Sequence, residues 1–127
     1  MTSRIHALTV DCFDPERVGR FWAEALGYRD DPDNPNDSGD REWLIVSPDR
    51  TIHLVFQFVD ETKQLKNRLH LDLEPVDRTR DEESARLTDL GAALLADHRK
   101  GDGAGWLTLT DPEGNEFCIV RNPAERH

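Results

Sequence analysis

The sequence has only two cysteines, Cys12 and Cys118, too few and too far apart for a disulfide framework or a CxxC redox or metal motif. Positive charge is scarce. Sixteen Lys and Arg stand against 26 Asp and Glu, a formal net charge of −10. That balance, with no basic run, argues against a nucleic-acid partner. No apolar stretch approaches the roughly 18–20 residues that span a bilayer. Met1 to Ile5 are not followed by the apolar segment and small-residue cleavage site of a secretory signal. These absences predict a cytoplasmic protein with no membrane partner. An acidic chain repels anions at long range, so a neutral or cationic small-molecule ligand is expected, although a local site can override that bias.

What is present is a patterned chain of 127 residues, a length that suits one domain. Arg4 to Cys12 reads as a strand. Asp14-Pro15 then opens a helix: the carboxylate can accept from first-turn amides, and proline suits the first helical position. Val18, Phe21, Trp22, Ala25 and Leu26 form its apolar stripe, and Gly27 stops it. Tyr28-Arg29 begins a short strand. Asp30 to Asp40 is an acidic loop, read as mobile. Its Asp31, Asp33 and Asp37, with Glu42 beyond it, only roughly follow calcium-loop spacing, and Asn36 stands where the turn needs glycine. Two strands follow, Glu42 to Ser47 and Thr51 to Val59.

After the polar connector Asp60 to Asn67 the order repeats. Arg68 to Glu74 alternates as a strand. Thr79 with Glu82 has capping-box spacing and starts a helix that runs to Gly91. Ala92 to Ala96, Trp106 to Thr110 and Asn115 to Arg121 read as strands, with a turn at Asp111-Pro112-Glu113-Gly114. The pattern is strand–helix–strand–strand–strand, twice. It predicts an α+β fold in one domain, 1–127, with modules of about 1–63 and 64–127, each marginal for a separate core and so expected to pack together.

Asp14-Pro15-Glu16-Arg17, Phe21-Trp22 and Leu26-Gly27-Tyr28 resemble the first helix of the glyoxalase/bleomycin resistance protein/dioxygenase group, the vicinal oxygen chelate superfamily. Lys66 to Leu73 and Asp111 to Cys118 resemble its glyoxalase-like domain branch. The resemblance covers essentially the whole chain. It implies two βαβββ modules whose strands form one open, cup-shaped mixed sheet around a ligand cavity, with helices outside, often as a homodimer. It does not imply one reaction, since lyases, isomerases, dioxygenases and drug-binding proteins share the fold.

In the family's metal enzymes the ligands lie on strands and point into the cup, so alternation of side chains tests each candidate. Leu69, Leu71 and Leu73 share the helix-facing side; His70, Asp72 and Glu74 share the cavity side. His70 matches the family's ligand position, and His53 lies near its second. Aligning Leu71 with Leu8 pairs His70 with Ala7, which cannot bind metal, and puts His6 on the helix side unless the register shifts. Glu116, Cys118 and Val120 face the cavity, and Cys118 stands where the metal enzymes carry glutamate.

The metal expectation is therefore His53, His70 and Glu116, a ligand set suited to iron, zinc, nickel or manganese. Glu116 and Asp72 are the expected catalytic groups. Asp11, Trp43, Gln57, Trp106 and Cys118 are the expected substrate contacts, the tryptophans as walls for a flat ligand. Cys118 as a buried, inert thiol is the blander alternative. Two functions compete: a metal-dependent lyase, isomerase or dioxygenase, and a metal-free protein that binds or sequesters a drug or metabolite.

Overall fold

The structure is a computed structural model, and it describes residues 1–125. The elements in chain order are β1 (Leu8–Cys12), α1 (Pro15–Leu26), β2 (Glu42–Val46), β3 (His53–Phe58), β4 (Asp72–Leu73), α2 (Arg80–Leu90), β5 (Ala93–Asp97), β6 (Leu107–Thr110) and β7 (Glu116–Ile119), then a 3₁₀ turn at Pro123–Glu125. The fold is α+β, with two mixed sheets that do not close on themselves. Two compact units divide it, Met1–Thr62 and the chain from Lys63 onward.

In the first unit the strand order is β1-β3-β2, with β1 parallel and β2 antiparallel to β3. α1 forms as its sequence dictates. Asp14 Oδ1 accepts from Arg17 N at 3.2 Å, Pro15 occupies the first turn, and Gly27 closes the helix at φ 69°. Val18, Phe21, Trp22 and Ala25 are buried on the stripe that faces the sheet. Burial of each large apolar side chain is worth about 1.5–3 kcal/mol. Tyr28-Arg29 contributes only one bridge, Arg29 to Val46.

Beside that bridge the acidic loop takes the place of an edge strand. Asn36 Nδ2 donates to the Leu44 carbonyl at 2.7 Å, and its Oδ1 accepts from Leu44 N at 2.9 Å. Arg50 pairs with Asp31 and Asp33. The loop read as mobile is thus tied at both β2 and Arg50.

In the second unit the order is β4-β7-β6-β5, with β4 parallel to β7. The capping box is complete: Thr79 Oγ1 accepts from Glu82 N at 3.1 Å, and Glu82 Oε1 accepts from Thr79 N at 2.9 Å. The Asp-Pro-Glu-Gly turn is explained by buried Asp111. Its carboxylate accepts from the backbone of Glu113 and Asn115 and from Asn115 Nδ2. The strand expected over Arg68 to Glu74 is shorter than its alternation implied. Only Asp72 and Leu73 join the ladder to β7, because the Asn67 side-chain amide takes the N–H and C=O of Glu116, the β7 residue opposite His70 in that register.

Candidate functional site

The parallel register of β4 and β7 sets Asp72 beside Cys118 and Leu73 beside Ile119. Along β7, Phe117 and Ile119 are fully buried on the helix side. Glu116, Cys118 and Val120 point the other way, as alternation requires. With Trp106 and Thr108 of β6 and its approach, and with Lys66, His70, Asp72 and His98, they line a cavity of about 460 Å³ in the second unit.

At the cavity wall three chemically active side chains converge. His70 Nδ1 lies 3.1 Å from Asp72 Oδ1. One ligand atom from each of His70, Asp72 and Cys118 lies within 4.8 Å of the other two. Cys118 is 8% exposed, and its Sγ lies 3.5 Å from Thr108 Oγ1. An aromatic wall stands nearby: Trp106, 41% exposed, stacks on His98 with ring centroids 4.8 Å apart and planes 27° apart.

Glu116 lines the same cavity, but its carboxylate is engaged. Lys63 Nζ lies 3.0 Å from Oε2, and Asn67 N donates to Oε2 at 3.3 Å. Burial pushes the carboxyl up, but hydrogen bonds from Lys63 and from backbone N–H groups, with the Lys63 charge, outweigh it and hold the group below its ordinary value.

Of the expected metal trio, His70 alone belongs to the group of ligand atoms that converge among the described residues. His53 belongs to the first unit. There it stacks on His6 at 6.1 Å, and its Nε2 lies 3.2 Å from the Arg50 carbonyl oxygen. Both histidines line a second cavity of about 540 Å³, with Ala7, Leu44, Glu42 and the acidic loop. Alternation set His6 on the helix side, but β1 begins only at Leu8, so the rule does not reach it.

Trp43, expected as a ligand wall, is instead a core residue at 4% exposure. The reason is Gly19. A Cβ there would lie 2.9 Å from Trp43 Cγ, so only glycine lets α1 approach the indole this closely. Trp43 and Trp106, equivalent by position, therefore serve opposite faces. Asp11 and Gln57 are register partners, both exposed, on the face that carries Val55.

The donor set of imidazole, carboxylate and thiolate fits a thiophilic divalent ion such as zinc better than manganese or magnesium, which prefer oxygen. Sequence reasoning placed Asp72 and Cys118 on the cavity side but not in one group with His70, since their pairing is fixed only by the β4–β7 register. It also missed His98, Lys63 and Lys66. His98 was legible in principle: its N–H donates to the Trp106 carbonyl at 2.9 Å and extends the β5–β6 ladder by one step.

Two repeats of strand, helix and strands, with a cavity beside the second sheet, are the architecture that the resemblance to the vicinal oxygen chelate superfamily implies. Residues 7–120 match the family described as Glyoxalase-like domain, and the chain belongs to it. No curated protein matches the chain. Solved structures match its fold. The fosfomycin resistance protein FosX from Mesorhizobium loti is 18% identical, with a TM-score of 0.68 over 94% of this chain and 92% of that one. A mutant of FosX from Listeria monocytogenes, complexed with Mn(II) and 1S,2S-dihydroxypropylphosphonic acid, is 16% identical, with a TM-score of 0.70 over 98% and 94%. A glyoxalase/bleomycin resistance protein/dioxygenase family enzyme from Burkholderia phytofirmans PsJN is 18% identical, with a TM-score of 0.65 over 91% and 95%.

Proposed function

We propose that the protein binds a small, flat organic molecule in the cavity of its second unit and acts on it with His70 and Asp72. The observation that carries this reading is the convergence of His70, Asp72 and Cys118 at a cavity that also holds the Trp106–His98 stack. Trp106 supplies an exposed aromatic face for a planar ring. Asp72 accepts from His70 Nδ1 and so fixes the tautomer that leaves Nε2 basic. That pair can take a proton from carbon or oxygen of a bound molecule and return it, which is the demand of a lyase or isomerase. Glu116, held ionised by Lys63, forms a fixed ion pair at the cavity wall and leaves the proton transfer to His70 and Asp72.

A second reading is favoured by the donor set itself. His70, Asp72 and Cys118 would hold a zinc-like ion. Such an ion supplies Lewis-acid polarisation of a substrate oxygen. A redox-inert ion of this kind suits lyase or isomerase chemistry better than ring cleavage by oxygen.

Titration with catechol, a flat molecule with two vicinal oxygens, tests the first reading. Trp22 and Trp43 are buried, so quenching of tryptophan fluorescence reports Trp106. Saturable quenching is expected, with the calorimetric binding heat lost in Trp106→Ala. Unchanged fluorescence and identical heats in the variant would sink it. Metal content after purification without added metal decides between the readings. One zinc per chain, lost in Cys118→Ser, establishes the second.

A further inference from the structure

The geometry points to Cys118 as a covalent nucleophile for a conjugated carbonyl compound, an enal or enone, in the cavity of the second unit. The inference rests on the metal-free reading of that cavity and gives it a substrate class.

Nucleophilic catalysis by cysteine needs a base within reach of the sulfur and a third group that orients the base. Both are here. The Cys118 Sγ lies within 4.8 Å of a His70 ring nitrogen, and Asp72 Oδ1 holds His70 Nδ1 at 3.1 Å. The remaining gap is small for an exposed imidazole, and such contacts run long before a ligand is bound. Asp72 and Cys118 are fixed relative to each other by the backbone, as register partners on parallel strands. The thiol also opens on a cavity, which an inert core cysteine does not.

The cavity selects the electrophile. The Trp106–His98 stack offers a flat face to a conjugated system. A soft sulfur nucleophile adds to the β-carbon of such a system. In that step the Sγ–C bond forms and the C=C π bond breaks. Its electron pair moves toward the carbonyl oxygen as an enolate. The thiol proton passes to the His70 imidazole, at the ring nitrogen that Asp72 leaves free, and returns to the α-carbon. Atoms and charge balance with no further reactant.

Cys12 provides an internal control, because it is the only other cysteine and is 2% exposed in the first unit. The full chain is incubated with trans-cinnamaldehyde at neutral pH, then read by intact mass and peptide mapping. A single adduct on Cys118 is expected, with Cys12 unmodified. In His70→Gln the rate of adduct formation drops about a hundredfold, the usual scale for loss of a positioned base. Asp72→Asn slows it less. Both side chains are exposed, so circular dichroism should remain unchanged and separate a lost base from a lost fold. The proposal is overturned by no adduct, by equal modification of Cys12, or by an unaltered rate in His70→Gln. It is also overturned if bound zinc protects Cys118 until a chelator removes it, which makes the thiol a ligand instead. Catechol quenching of Trp106 without any adduct leaves the binding reading standing and removes this one alone.

Discussion

Asp72 and Cys118 stand side by side on adjacent parallel strands, 46 positions apart in sequence. That pairing brings an acid and a thiol to the wall where His70 also points. Neither strand carries the site alone. The chemistry depends on a register between β4 and β7 that a one-residue slip would destroy, by turning Cys118 to the core side.

Gly19→Ala tests the close approach of α1 to Trp43. The added methyl has no space against the indole. Overpacking of this kind costs about 1–3 kcal/mol. A fall of that size in unfolding free energy is expected by urea denaturation, and an unchanged midpoint would contradict the packing described.

Asn36→Ala tests the strap on the edge of β2. The side chain makes both an acceptor and a donor bond to Leu44. Its removal exposes the Leu44 amide. Faster hydrogen exchange at Leu44 is expected, with Phe56 and Ile45 protected as before, since β3 still covers the other edge.

Lys63→Met tests the charge balance at Glu116. In the native protein the folded-state carboxyl lies below its ordinary value. The linked stability is therefore present above that ordinary value and lost as pH falls through the lowered one. Without Lys63 the burial of the carboxyl meets less opposition, so the Glu116 midpoint rises. Carboxyl chemical shifts followed against pH read this directly; an unmoved midpoint would assign the depression to the backbone bonds alone.

Arg99→Gln tests a surface clamp. Arg99 bonds Asp97 through its side chain and its backbone N–H, and these lower the Asp97 carboxyl from 3.8 to about 2. The same guanidinium reaches Asp81 in the first turn of α2 at 2.7 Å. The depressed value places the linked stability above pH 3.8 and its loss between there and about 2. In the variant the Asp97 midpoint returns toward 3.8, and the acid limb of the stability profile shifts with it.

Local chemistry made much of the fold legible. Asp14, Pro15 and Gly27 bound α1 because capping, a fixed φ and a left-handed stop act within a few residues. Thr79 and Glu82 did the same for α2. The faces of β3, β6 and β7 followed from alternation alone. The first strand of the second module misled, because alternation in Arg68 to Glu74 exists without a partner to pair most of it.

The sequence by itself determined the helices, the repeated module order, the family and the cavity side of His70, Asp72 and Cys118. Tertiary structure decided which groups meet. It buried Trp43 against Gly19 while leaving its counterpart Trp106 exposed, joined Asp72 to Cys118, and spent Glu116 on Lys63. The physical reason is range. Caps and periodicity act over a few residues, whereas these contacts depend on strand register and helix–sheet approach between segments distant along the chain.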